Sequence, residues 1–184
     1  MAAIRFIFEA LLQFLVVTLF LLRVLLPLVR ADSRNEFSQA VMRLTNPLIL
    51  PLRKVLPPIG KVDTASLVAL LVVQLFTTAT LWLLGSYPWI SNGLQFTHVM
   101  LVRLILSLLY LYMFALVIYI LLGWVAPNTH SPGSVLLSNL CEPLLRPVRR
   151  LIPRIADIDF SAFFVLVGLQ ALAILVEGSL TASF

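Results

Sequence analysis

Two sets of ionisable side chains could do chemistry by type and spacing: Arg53, Lys54 and Asp63, and Arg149, Arg150 and Asp159. Prolines bracket both basic pairs, Pro47, Pro51 and Pro57 around the first, Pro143, Pro147 and Pro153 around the second. Adjacent cations of this kind recognise anions, either lipid head groups or an acidic protein surface. Each aspartate precedes a long apolar run, where a carboxylate caps the coming helix and favours its N-terminal dipole. Alternatively it pairs with its own basic residues and ties their segment to that helix. Eleven residues beyond each aspartate lies a glutamine, Gln74 or Gln170, deep in apolar sequence. There an amide hydrogen-bonds across helices or lines a path for a solute.

These residues belong to one segment that occurs twice, residues 47–74 returning as 143–170 at an offset of 96. Such self-similarity marks a duplicated unit. Catalytic arrangements are missing from the pattern. His98 and His130 fall on opposite sides of the membrane under the topology derived below. Ser131-Pro132-Gly133-Ser134 reads as a loop and not a nucleophile elbow. Cys141 is a lone thiol, expected in a loop, and no Cys/His cluster or Gly-rich phosphate loop accompanies it. The expectation is no enzyme, no cofactor and no metal.

The elements that position these groups follow from composition. The 184 residues are 61% hydrophobic and 11% charged, with a mean hydropathy of +1.05, which is membrane composition. A helix needs roughly 20 apolar residues to cross roughly 30 Å of hydrocarbon. Four stretches qualify, at about 6–29, 65–84, 104–126 and 160–176. The first is too long for a signal-peptide core and reads as a retained span. Of 13 Lys/Arg, seven lie between Arg23 and Lys61 and four between Arg146 and Arg154. Short Lys/Arg-rich loops stay cytoplasmic, so loops one and three face the cytoplasm and both termini the periplasm. Arg5 and Arg103 are exceptions outnumbered by the other eleven. Trp82, Tyr87, Trp89 and Phe96 crowd the outer connection as an aromatic belt, and Glu9, Gln13 and Arg23 interrupt the first span.

Within each basic loop the spacing predicts a short amphipathic helix, about 44–57 and about 140–153. Thr45 or Asn46 would cap the first, with Pro47 at its first position. Leu44, Leu48, Ile49, Leu52, Val55 and Leu56 form its apolar face, and Arg53 and Lys54 the other. Such a helix lies in the membrane interface with its cations toward head groups. Residues 1–96 and 97–184 thus each hold span, interfacial helix and span. The fold class is an all-α membrane protein, four transmembrane helices in two parallel αα repeats.

The pattern Asn/Glu-Pro-Leu-x-x-Pro-x-Arg-Lys/Arg-x-x-Pro, followed by Asp before an apolar span, resembles the YggT family, over nearly the whole chain. Two copies are similar to its proteobacterial inner-membrane form; the YlmG proteins carry one. The family's Asp-x-Ser-Pro is replaced here by Asp159-Phe160-Ser161-Ala162 and Asp63-Thr64-Ala65-Ser66. The resemblance implies roles as different as osmotic tolerance with potassium uptake, cell division with nucleoid distribution, and haem-protein assembly in plastid membranes. It supplies no catalytic residue. The reading is a non-enzymatic inner-membrane scaffold or assembly factor acting through its basic interfacial helices. Its partners are anionic membrane lipids and a protein or second copy, without direct nucleic-acid binding. The alternative is a small transporter or channel component in potassium or osmotic homeostasis, with Gln74 and Gln170 facing a path between the repeats.

Overall fold

The computed structural model describes residues 7–29, 35–56, 63–125, 131–150 and 160–181. These form six helices and, among the described residues, no strand. They are α1 (Ile7–Leu28), α2 (Glu36–Arg53), α3 (Thr64–Leu83), α4 (Gly93–Val125), α5 (Pro132–Arg149) and α6 (Phe160–Thr181). Four of them, α1, α3, α4 and α6, are long and apolar enough to cross a membrane, which marks a membrane protein. Exposed Leu75, Phe76, Phe163, Phe164, Leu172 and Leu175 are the surface hydrocarbon would cover.

Two of the spans match their expected bounds to within a residue or so, and α6 runs five residues further. The other departure is α4, which begins at Gly93, eleven residues before the expected start, and takes in half of the supposed outer connection. Asn92 caps it by accepting from the Gln95 N–H at 2.8 Å. The true connection is 85–92. Gly85 closes α3 at φ 74°, with its own N–H on the Trp82 carbonyl and that of Ser86 on the Leu81 carbonyl. Only glycine takes that left-handed turn freely. The aromatics gather at this end: Trp82 meets Phe96 edge-on at 6.3 Å and Tyr87 meets Trp89 at 5.9 Å.

The helices carrying the basic motif also begin earlier than expected. Neither Thr45 nor Asn46 caps α2; Asn35 does, its side chain accepting from the Phe37 N–H at 2.9 Å. Ser131 plays this part for α5. The reason lies upstream of the prolines, where Ser38, Val41, Thr45 and Ile49 continue one buried stripe at helical spacing. Pro47 and Pro51 therefore sit inside α2, and Pro143 and Pro147 inside α5, all four exposed. A proline N leaves the carbonyl four residues back without its helical donor. On the uncovered side of a helix, solvent or head groups can satisfy that carbonyl. The wheel drawn from sequence is shifted accordingly: Leu44 and Val55 are exposed, while Ile49 is fully buried. Cys141 lies in α5, not in a loop, and is buried; burial pushes its thiol up to about 12 and keeps it protonated, although Arg149 pulls the other way.

Packing follows two similar sets. α1 packs against α2 and α3, and α2 against α3; α4 packs against α5 and α6, and α5 against α6. Val17, Phe20 and Leu21 of α1 meet Ile49, Ala65, Ala69 and Leu70 in one core. Ala115 and Leu116 of α4 meet Leu140, Cys141, Leu145, Ala162 and Val165 in another. Alanines at these crossings let the backbones approach closely. The sets join where α4 touches α1 and α3 and where α2 touches α5. There Asn35 Nδ2 donates to the Pro132 carbonyl.

Candidate functional site

The first basic motif is tied to its aspartate. Arg53 closes α2 and pairs with Asp63, the residue just ahead of α3. The capping role expected of Asp63 is not made, since its side chain accepts no backbone cap bond; instead Oδ2 takes Arg53 and the Ser66 hydroxyl at 2.9 Å. Burial resists ionisation of Asp63, but the bonds from Arg53 and Ser66 outweigh it and hold the carboxyl below the ordinary carboxylate range. Arg23 of α1, itself buried, acts electrostatically on both partners, against Arg53 and toward Asp63. Lys54 stands exposed one residue past the helix.

The second motif uses the same positions differently. Arg149 donates to Glu142 and to the Tyr119 hydroxyl of α4, both at 2.9 Å. At the matching positions the first copy has Asn46 and Arg23. Asn46 carries no charge and Arg23 repels a second cation, so Arg53 turns to the Asp63 carboxylate. Arg146 and Arg150 are exposed, like Lys54. Pro57, Pro153 and Asp159 lie outside the described residues.

The two glutamines do not meet. Gln74 is fully buried, whereas Gln170 is exposed on α6. Instead of both facing a space between the repeats, Gln74 joins a cluster that belongs to one side only. Gln13 of α1 donates through Nε2 to Gln74 Oε1 at 3.3 Å, to the Arg103 carbonyl at 3.2 Å and to the Ser107 hydroxyl. Its Oε1 accepts from Arg103 Nε at 3.2 Å. Gln74 passes its own Nε2 hydrogen to Thr78 at 3.2 Å. Arg103, 8% exposed, donates from Nη1 to Glu9 at 2.7 Å and lies 5.4 Å from the Tyr87 ring. A π-helical stretch, Ala10–Val17, carries Gln13; such widened turns are frequent at functional sites.

This cluster is what reading the repeat overlooked, because none of Glu9, Gln13, Arg103 or Ser107 has a polar counterpart 96 residues away. A different signal was available. Glu9 and Gln13, Gln74 and Thr78, and Arg103 and Ser107 are polar pairs at i and i+4 in three largely apolar helices. Each pair puts two polar groups on one helix face, and the faces converge.

Chemically the basic motifs can hold anions and the cluster can hold hydrogen-bonding groups of either charge. Among the described residues no group of His, Cys, Asp and Glu could hold a metal ion. The family model CCB3/YggT matches residues 1–84 and 99–180. An uncharacterised Pseudomonas aeruginosa protein is 37% identical over 162 residues, 88% of this chain and 82% of that protein. The uncharacterised YggT protein of Escherichia coli K12 is 32% identical over 155 residues, 83% of this chain and 78% of the relative. A Vibrio alginolyticus relative, also uncharacterised, is 34% identical over 165 residues, with 86% and 89% covered. No solved structure matches. With both its motif copies inside the matched segments, the chain belongs to the CCB3/YggT family.

Proposed function

We propose that the protein is a non-enzymatic inner-membrane scaffold that presents two basic, proline-bearing helices, α2 and α5, on its cytoplasmic face. One observation carries this reading. The Arg53–Asp63 ion pair anchors α2 to the following span while Lys54, Pro47 and Pro51 remain uncovered, and Arg150, Pro143 and Pro147 are uncovered at the matching positions of α5. Structural cations are thus spent inside the protein, and a separate set is left for a partner. Each exposed cation near an anionic surface contributes about 1 kcal/mol, so Lys54, Arg146 and Arg150 favour acidic lipid head groups or an acidic protein partner. The like packing of α1–α3 and α4–α6 supports two parallel repeats with both amphipathic helices in the same interface.

The test is purification from native membranes. An anionic partner, protein or lipid, should accompany the wild type and be lost from Lys54→Ala/Arg150→Ala, a variant that spares the Arg53–Asp63 and Arg149–Glu142 pairs. An unchanged complement of bound molecules would refute the reading. The polar cluster favours a second reading, a small transporter or channel component, with its path beginning at Glu9 and Arg103 and not between Gln74 and Gln170. Flux of potassium or another small solute through reconstituted protein, altered by Gln13→Leu, would support that reading over the first.

A further inference from the structure

Two cavities of opposite character lie end to end along α1 and α4. The first, about 360 Å³, is lined by Glu9, Gln13, Arg103, Ser107 and Tyr110, with Ala10 and Thr18. The second, about 300 Å³, has walls of carbon, among them Leu22 and Leu26 of α1, Phe114 and Ile118 of α4, and Val41 and Leu136 of α2 and α5. Thr18 lines both. The polar cavity sits at the level of the α3–α4 connection, because Tyr87 touches Glu9 and Arg103. The apolar one reaches down to α2 and α5. From Glu9 to Leu26 along α1 is about 25 Å at about 1.5 Å per residue, comparable with the length of one extended phospholipid, head group and acyl chain together.

We propose that this α1–α4 groove binds one zwitterionic phospholipid, its head group at Glu9 and Arg103 and one acyl chain in the carbon-lined cavity beyond Thr18. Charge complementarity selects the head group. Glu9 is the more open partner, 39% exposed at its side chain against 9% for Arg103, and offers its carboxylate to an ammonium. Arg103 keeps N–H groups beyond those given to Glu9 and Gln13, and with the Tyr110 hydroxyl it can donate to phosphate oxygens. A free cation would be repelled by Arg103 and a free anion by Glu9, whereas a neutral ion pair of the reverse order suits both. Water alone would fill the polar cavity but leave the apolar one empty. The site is separate from the exposed cations of α2 and α5, so it stands or falls apart from the scaffold reading. It shares residues with the transport reading, which is tested by flux and not by lipid retention.

Gly133 supplies the test, since it lines the apolar cavity and a Cβ built on it meets nothing within 4 Å. Gly133→Leu should therefore fill the groove and leave the fold intact. Protein reconstituted in equimolar phosphatidylethanolamine and phosphatidylglycerol is extracted in mild detergent and its retained lipid measured by native mass spectrometry. The wild type should keep one phosphatidylethanolamine per chain. Gly133→Leu and Arg103→Gln should each reduce that retention about tenfold, while Phe163→Ala, on the exposed face of α6, should not. Equal retention in Gly133→Leu and wild type overturns the proposal, as does preference for phosphatidylglycerol. Labelling of Ser107→Cys by N-ethylmaleimide at the same rate with and without added phosphatidylethanolamine, with no lipid retained, would replace it with a water-filled cavity.

Discussion

Gln13 and Gln74 meet across α1 and α3, Nε2 of one 3.3 Å from Oε1 of the other. At the position matching Gln13 the second copy has Leu109, buried against Ala173. Gln170 thus has no amide waiting at that place and stands exposed. The same residue type at the same repeat position does structural work in one copy only. Gln74→Leu should destabilise the protein by about 1 kcal/mol, within the range for hydrogen bonds between membrane helices, because it removes the bonds to Gln13 and Thr78. Gln170→Leu should be neutral or slightly stabilising. Unfolding midpoints in detergent compare the two, and equal effects would contradict the asymmetry.

Arg103 joins α4 to α1 and to the 85–92 connection through Glu9, Gln13 and Tyr87. Removing one partner of a buried ion pair leaves an uncompensated charge, but Glu9 is partly open to its surroundings, which softens the loss. Arg103→Leu should cost about 2 kcal/mol, and Glu9→Gln about half as much since Gln13 still accepts from the guanidinium. The order of the two midpoints is the check; a larger loss for Glu9→Gln would mean that Arg103 is held mainly through the carboxylate.

The Asp63 carboxyl is held below its ordinary value in the folded protein. A depressed carboxylate pKa adds stability above the unfolded-state value of about 3.9 and loses it as pH falls through the lower folded value. Attachment of α2 to α3 should therefore be constant from neutral pH to about pH 5 and weaken only below about pH 4. Spin labels on exposed Leu50 and Leu67 would read that separation. Asp63→Asn should show the weakened state at every pH, and a transition near neutrality would contradict the assignment.

Arg149 spans Glu142 and Tyr119, a charged acceptor and a phenol on different helices. Tyr119→Phe removes one bond and should cost about 1 kcal/mol. Arg149→Lys should cost more, because an ammonium cannot reach two acceptors with the fork geometry of a guanidinium. Thermal midpoints of the two variants measure this, and indifference to Arg149→Lys would place the role of Arg149 elsewhere.

Much of this architecture is legible in the sequence. The four spans follow from long, predominantly apolar stretches, because hydrocarbon demands internally satisfied backbone. Helix starts are less legible. Pro47 looks like a first-turn residue, yet the stripe Ser38, Val41, Thr45 and Ile49 carries α2 past it, tertiary burial outweighing local proline preference. The start of α4 is hidden in the same way, since Asn92-Gly93 is turn chemistry and also a helix cap. As to the site, the duplicated motif draws attention to what occurs twice. Arg103, counted as a stray charge in the topology, is neutralised by Glu9 inside the bundle, and only convergence of three helix faces brings it there.

The uncovered prolines and cations of α2 and α5 are proposed to dock an anionic partner. A photo-cross-linking amino acid at Leu50 and at Arg146, equivalent exposed positions between the prolines, tests it in native membranes. Discrete adducts should form from both positions, disappear in Lys54→Ala/Arg150→Ala, and be absent when the cross-linker replaces Phe163. Adducts that are the same at all three positions, or that persist without Lys54 and Arg150, would contradict it.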